Sequence, residues 1–396
     1  MTMTPSHATF EPSFDVIVIG LGAMGSATTF QLASRKLRVL GLDRFHPPHS
    51  EGSSHGQTRI IREAYFEHPA YVPLIQRAYE LWGELQAQTQ ETLLTLTGGL
   101  MIGPESGILF PGALHSAQTH GLSHEVLDAH EVARRFPALR PESSQKAVWE
   151  PRAGVLFPER CVARYLEAAR RSGATLRTGE CVTRWEPDGQ GVRVVTSQGV
   201  YRAGALVVAA GAWAQSLFPT ASVPLTVERQ TLFWFDTLRR AESFQLGQCP
   251  IHLWETPDQE FFYGFPDLGD GVKLACHHGG APTTPETVSR AVTDEDELAM
   301  RRLTRRFIPD ADGATRSSTV CLYTNTPDSH FWLDRHPEYS QAWIASPCSG
   351  HGFKFASVIG EIMADEVMGR SSKLDLTLFR SRNRIPAGIN PSGTRS

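Results

Sequence analysis

The sequence predicts an α/β protein in which a parallel, dinucleotide-binding sheet and an antiparallel sheet are built from alternating stretches of one chain. Three observations carry this. The apolar, strand-type run Phe14–Ile19 leads directly into Gly20-Leu-Gly-Ala-Met-Gly25. Ala205 to Trp213 is a second buried strand, and it too ends in a glycine turn, at Gly211. Phe233 to Ala275, by contrast, alternates and is rich in Phe, Trp and Tyr, the pattern of an antiparallel sheet.

The first element has the full context that a G-x-G-x-x-G turn needs. A helical segment follows it (Ser26 to Ser34), then a second apolar strand (Val39–Leu42) that ends on Asp43. Gly20, Gly22 and Gly25 allow a tight turn and close backbone approach. The helix N-terminus faces a pyrophosphate, and Asp43 can hold a ribose hydroxyl. This is a Rossmann-type unit at the very start of the chain.

Further elements follow in order. Tyr71 to Gln86 reads as a helix, Gly98 to Pro111 as strands and turns, and His124 to Phe136 as a strand and then a helix. Cys161 to Ser172 is amphipathic, with Val162, Tyr165, Leu166 and Ala169 at helical spacing. Thr175 to Thr196 reads as two or three strands with a turn at Asp188-Gly189. Thr293 to Phe307 is a charged helix, and Lys354 to Met368 is a helix with Phe355, Val358, Ile359, Ile362 and Met363 inward. Nucleotide-binding elements therefore recur at the start, middle and end. The expected division assigns 1–90, 150–225 and 320–385 to a cofactor domain and 91–149 and 226–319 to a substrate domain. The Pro/Gly/Ser-rich residues 386–396 form a tail.

Composition excludes several classes. With 41% hydrophobic and 20% charged residues the 396-residue chain can bury a sizeable core, and its length suits two domains. A net charge of -4 argues against nucleic acid or a membrane surface as partner. The clusters Arg301-Arg302, Arg305-Arg306 and Arg380 to Arg384 read as solvated faces. Met1 to Pro12 is polar without a basic start, and no stretch reaches transmembrane length, so a cytoplasmic protein is expected. Cys161, Cys181, Cys249, Cys276, Cys321 and Cys348 show no C-x-x-C spacing and read as reduced thiols. Cys276-His277-His278 lacks a partner pair at ligand spacing, so no metal site is expected.

Several constellations carry chemistry. Arg59 and Arg62 lie three apart around Ile60-Ile61, beside His55 and Thr58. An arginine fork suits a bidentate carboxylate; a structural ion pair to an internal acid is the alternative. Lys354 follows the loop Ser349-Gly-His-Gly352, where backbone N–H groups and one ammonium make an anion site. A surface lysine is the bland reading, at a poor place for a cation. Period two puts Lys273, Ala275 and His277 on one strand face and Val272, Leu274 and Cys276 on the other. Cys321 and Tyr323 share a face in the same way, where a lone cysteine is by default a buried inert thiol.

The stretch Gly52 to Arg62 (G-S-S-H-G-Q-T-R-I-I-R), together with Tyr71 to Leu74, Tyr263 to Pro266, Val272 to Leu274, Cys321 to Thr324, Thr326 to Asp328 and Ser349 to Phe355, resembles the monomeric sarcosine oxidase / N-methyltryptophan oxidase family. The match runs in order from about residue 14 to about residue 384. The resemblance implies a glutathione-reductase-type FAD fold interleaved with an antiparallel-sheet substrate domain. It implies oxidation of a secondary amino acid by dioxygen in a monomer. It gives the substrate carboxylate to Arg62 and Lys354, sets Arg59 beside the flavin ring and makes Cys321 the covalent attachment point. It assigns reduction of dioxygen to Lys273, whose fixed cation would stabilise charge as superoxide forms. Thr58 and His277 join the catalytic set. Tyr263, Tyr323 and His55 join the substrate contacts, the tyrosines as an aromatic wall around a small alkylated nitrogen. Gly20, Gly22, Gly25, Asp43, Gly211, Gly350 and Gly352 complete the cofactor site. Tyr263 to Lys273 is one residue shorter than the family pattern, which singles out the turn Asp267 to Asp270. The open alternatives are a pipecolate or glycated amino acid oxidase, an FAD dehydrogenase of the same fold and a non-catalytic flavin-binding subunit.

Overall fold

Apolar runs without alternation become strands covered on both faces, and two of them lie at the centre of the molecule. A computed structural model describes residues 14–218, 223–346 and 349–380. In it, Phe14–Ile19 pairs in parallel with Val39–Asp43 on one side and Val200–Val208 on the other. The parallel sheet continues outward through Thr175–Thr178 and Ala342–Ser346. The antiparallel strands Val182–Asp188, Gly191–Thr196 and Trp332–Arg335 bring it to eight. The helices Ala23–Ser34, Pro158–Arg171 and Ala356–Val367 share one apolar cluster with this sheet. Gly360 lets two of them meet: a Cβ there would lie 2.6 Å from the backbone carbon of Ala27.

The first helix starts at Ala23, three residues before the expected start at Ser26. Gly22 takes extended backbone (φ -68, ψ -155) and serves as its N-cap, so the glycine turn and the helix N-terminus are one feature. Asp188-Gly189 makes the turn between two of the three strands found across Thr175–Thr196. One helix is an addition. The stretch Gly98 to Pro111, read as strands and turns, ends inside the helix Leu109–Thr119. Pro111 falls in the first turn, where no intrahelical N–H bond is lost.

The second sheet has nine strands and is mostly antiparallel. Its longest pairing joins Thr226–Phe235 to Thr315–Asn325, from Thr226 opposite Asn325, through Gln230 opposite Cys321, to Phe235 opposite Thr315. The expected boundary at residue 320 cuts this strand, so Cys321 stands on the antiparallel sheet and not on the dinucleotide-binding one. A small third sheet joins Arg59–Ile61 and Leu94–Leu96 across Gly154–Leu156. Cys161, Cys181, Cys249, Cys276 and Cys321 are free thiols; Cys348 and the tail lie outside the described residues. Among the described residues no helix is long and apolar enough to cross a membrane, and no three His, Cys, Asp or Glu side chains gather as a metal site.

Candidate active site

One long cavity runs from the glycine turn to the junction of the two large sheets. Gly20, Gly22, Asp43, Gly211, Arg59, Arg62, Cys321, Tyr323 and Lys354 all line it. At its first end the backbone is shaped for a close ligand. Gly20 has φ +89, and a Cβ there would lie 2.5 Å from the Ala209 carbonyl oxygen. Gly25 lies behind the turn, where a Cβ would meet the Gly20 oxygen at 1.6 Å; its role is helix–strand packing. Asp43 accepts the Leu21 and Phe45 N–H groups at 2.7 and 2.8 Å, one on each carboxylate oxygen. It thus braces the turn while lining the cavity, and burial raises its pKa. Arg44 stacks 5.2 Å from both the Phe45 and Trp213 rings, forming a planar pocket beside Asp43.

At the far end two cations converge on one ring. The Arg62 guanidinium lies 4.2 Å and the Lys354 ammonium 5.3 Å from the Tyr65 ring centre. Arg62 is 2% exposed and donates through Nη2 to both oxygens of Glu67, at 2.9 and 2.8 Å, and through Nη1 to the Ala64 carbonyl at 2.8 Å. Burial pushes the Glu67 carboxyl up, but Arg62, His351 and Lys354 outweigh it and hold it below its usual value. Lys354 stands in a short 3₁₀ turn, Phe353–Phe355, ahead of the last helix, and donates to the His351 carbonyl at 2.7 Å. Burial, with Arg62 nearby, lowers its pKa to about 7. Tyr263, Tyr323 and His277 wall the same space; the Tyr323 hydroxyl is 3.2 Å from His277 Nδ1. Gly350, with φ +75, is packed against Tyr323: a Cβ would lie 2.5 Å from its ring.

Arg59 stands between these ends. It donates to the carbonyls of Thr58 (2.8 Å) and Ser53 (2.7 Å), and its Nη2 is 3.7 Å from Cys321 Sγ. Lys273 and Thr58 do not line the long cavity; with Trp234 and Phe265 they line a second one. Val272 and Leu274 point into the core, while Lys273 on the opposite face is 2% exposed. Its ammonium donates to the Gly56 carbonyl (2.5 Å), the Thr58 carbonyl (3.0 Å) and Thr58 Oγ1 (2.9 Å). Burial pulls its pKa well down, while the three oxygens solvate the charged form. His55 lines neither cavity, so the structure does not bring it to the substrate end of the long cavity. The loop presents Ser53 and Ser54 to the long cavity and buries His55, whose pKa burial lowers to about 3.

Sequence reasoning missed Glu67, Tyr65, Ser54 and Trp213. Nothing in the spacing Arg62 to Glu67 marks an internal carboxylate. Ser54 Oγ accepts the Ala23 N–H at 3.1 Å, reaching the first helix from 31 residues away, which no local pattern encodes. Two buried polar atoms that line the long cavity, Trp213 Nε1 and Thr324 Oγ1, have no hydrogen-bond partner among the described residues. Orphaned donors in a cradle closed by glycines fit a bound polar cofactor.

The parallel sheet, its glycine turn and the long cavity that opens from it define a protein of the dinucleotide-binding class. Residues 15–366 match the model of the FAD dependent oxidoreductase family. The chain is 44% identical over 380 residues to the monomeric sarcosine oxidase of Streptomyces avermitilis, covering 95% of this chain and 99% of that one. It is 35% identical over 368 residues to the N-methyl-L-tryptophan oxidase of Yersinia pestis, covering 92% and 98%. Among solved structures, the open form of NikD, an unusual amino acid oxidase essential for nikkomycin biosynthesis, superposes with a TM-score of 0.82 at 24% identity, covering 93% and 98%. The chain belongs to the FAD dependent oxidoreductase family and, within it, to the group of the monomeric sarcosine oxidases and N-methyl-L-tryptophan oxidases. It is a flavoprotein oxidase, and its cofactor is FAD.

Proposed function

We propose that this protein, acting as a monomer, oxidises the C–N bond of a secondary α-amino acid, N-methyl or cyclic, of which sarcosine is the simplest. The observation that carries this reading is the Arg62–Glu67 pair beside Lys354: the site already holds one carboxylate, both of its oxygens on Arg62 Nη2. A substrate carboxylate replaces Glu67 on Arg62 and gains Lys354. Tyr263, Tyr323 and His277 then enclose the amine. FAD, when bound, supplies two-electron redox chemistry. In balance, the amino acid loses two electrons and two protons to give an imine, and dioxygen gains both to give hydrogen peroxide. Water hydrolyses the imine, releasing formaldehyde from an N-methyl substrate. Thr58 fixes Lys273, whose charge favours electron transfer to dioxygen. The names of the relatives favour a self-sufficient oxidase over a dehydrogenase or a non-catalytic subunit.

Cys321 is the proposed attachment point for the flavin. Its thiol is 1% exposed, lines the cavity and has the Arg59 guanidinium 3.7 Å away. Acid-precipitated protein is expected to stay yellow, with the flavin on a peptide containing Cys321. Complete release of flavin into the supernatant removes this assignment.

Lys354 gives a pH signature. Its ammonium is present below a pKa of about 7 and is lost as pH rises through it. Binding of acetate, read from the flavin spectrum, is expected to weaken about tenfold between pH 6 and 9, the loss of one charged partner. Glu150, 1% exposed and pushed by burial to about 7, titrates in the same window. Lys354→Arg separates the two: a flat profile assigns the limb to Lys354, and an unchanged limb assigns it elsewhere.

A further inference from the structure

The stretch that carries Arg59 and Arg62 is held at both ends by carboxylates from one short stretch of chain. Arg59–Ile61 pairs antiparallel with Gly154–Leu156, Arg59 opposite Leu156 and Ile61 opposite Gly154. Glu150 lies just before that partner strand and Glu159 just after it. Glu150 accepts the N–H groups of Glu63 and Ala64 at 2.6 and 2.8 Å, one on each oxygen. Glu159 Oε1 accepts those of Gly56 and Gln57 at 2.7 and 3.0 Å. These contacts fix different functional groups. Ala64 offers the carbonyl that Arg62 Nη1 uses, so the Glu150 end orients the carboxylate fork. Gly56 and Thr58 offer the oxygens that hold Lys273. The Glu159 end also needs its support more: Gly56 and Gln57 both have positive φ, +94 and +67, and for glutamine that backbone is strained. A Cβ at Gly56 would lie 2.7 Å from Leu232 Cδ1, with Lys273 Nζ at 3.7 Å, so this loop packs directly against the lysine.

We propose that Glu150 and Glu159 are positioning residues that serve the two half-reactions separately: Glu150 sets Arg62 for the substrate carboxylate, and Glu159 sets Lys273 for dioxygen. The assignment rests on the roles given above to Arg62 and Lys273. Neither glutamate touches substrate or cofactor; each acts through two backbone N–H groups. Arg59 lies between the clamps and is held by its own strand pairing, so a change at one end need not reach the other.

The test is a crossed comparison by stopped flow, with hydrogen exchange of the 54–64 segment followed by mass spectrometry. Glu159→Ala is expected to lower the second-order rate of reaction of reduced enzyme with oxygen by about tenfold, leaving anaerobic reduction by substrate within about twofold. Exchange should rise at Gly56 and Gln57 alone. Glu159→Gln keeps an acceptor oxygen and is expected to restore both. Glu150→Gln presents an amide N–H to a backbone N–H, and is expected to raise the apparent dissociation constant of substrate about tenfold with the oxygen reaction unchanged. Glu159 is only partly buried, so its arm stands even where Glu150→Gln unfolds the protein. If either variant loosens both ends of the segment, or slows both half-reactions alike while Arg62→Ala and Lys273→Met divide them, the separate-clamp proposal is overturned. Should exchange change as expected while the kinetic effects do not divide, the clamps are real and the roles of Arg62 and Lys273 are wrong. Arg62→Ala and Lys273→Met in the same experiment distinguish these failures.

Discussion

Lys273→Met will slow the reaction of reduced enzyme with dioxygen by about 10²–10³ while leaving reduction by substrate nearly intact, the usual loss for one preorganised electrostatic contact. The first electron transferred to oxygen creates an anion where none existed. A fixed ammonium lowers the cost of that charge without having to reorganise. Lys273 is fixed in this sense: three oxygens from Gly56 and Thr58 take its three donors, and the Trp234 and Phe265 rings lie 5.2 and 4.9 Å away. Methionine keeps the length and the apolar stem but removes the charge. Its place on the Val272–Cys276 strand keeps the change away from the glycine turn at Gly20. Stopped-flow measurement of each half-reaction decides the matter. Equal slowing of both, or slowing of reduction alone, makes Lys273 a structural or substrate residue.

Arg62→Ala is expected to weaken substrate binding about 10- to 150-fold, from a loss of about 1.5–3 kcal/mol for a hydrogen bond between charged groups. The variant has two effects. It removes the fork, and it leaves Glu67 without its bidentate partner beside Lys354. Glu67 then competes for Lys354, so the loss should fall toward the upper end of the range. Glu67→Gln tests the other side of the same exchange. It removes a charge that competes with substrate for Arg62, and apparent affinity should hold or tighten. An unchanged Michaelis constant in folded Arg62→Ala protein rejects the assignment.

How far these roles were legible in the sequence depends on whether they rest on local pattern. The dinucleotide unit was readable because its requirements are local: an apolar strand, glycines at fixed offsets and an acid after the next strand. The single-face placement of Lys273 followed from strand period alone. Its isolation from the long cavity did not, because that depends on the loop at Gly56 folding over it from 217 residues away. Arg62 was readable as a fork for a carboxylate, with a structural ion pair as the competing reading. The structure shows the ion pair, with Glu67 as the internal acid, and the substrate carboxylate on Arg62 is the proposal built on it. The clamps of Glu150 and Glu159 were not legible. Each is an ordinary glutamate beside a short strand, and its partners are backbone N–H groups roughly a hundred residues earlier, which leave no mark on side-chain pattern. The helix at Leu109–Thr119 was not read, although its Pro111 sits in the first turn, where a proline is tolerated.

In the proposed cycle a secondary amino acid reduces this flavoprotein and dioxygen restores it. The most direct measurement mixes the purified chain with sarcosine, N-methyl amino acids with larger side chains, cyclic secondary amino acids and their primary counterparts, first without oxygen and then with it. The flavin colour is expected to bleach with one or more secondary amino acids and not with the primary ones. On admission of oxygen the colour returns, with one hydrogen peroxide formed per substrate oxidised and no second protein added. Bleaching by primary amino acids alone, or reduction by a secondary amino acid without peroxide when oxygen is admitted, would contradict it.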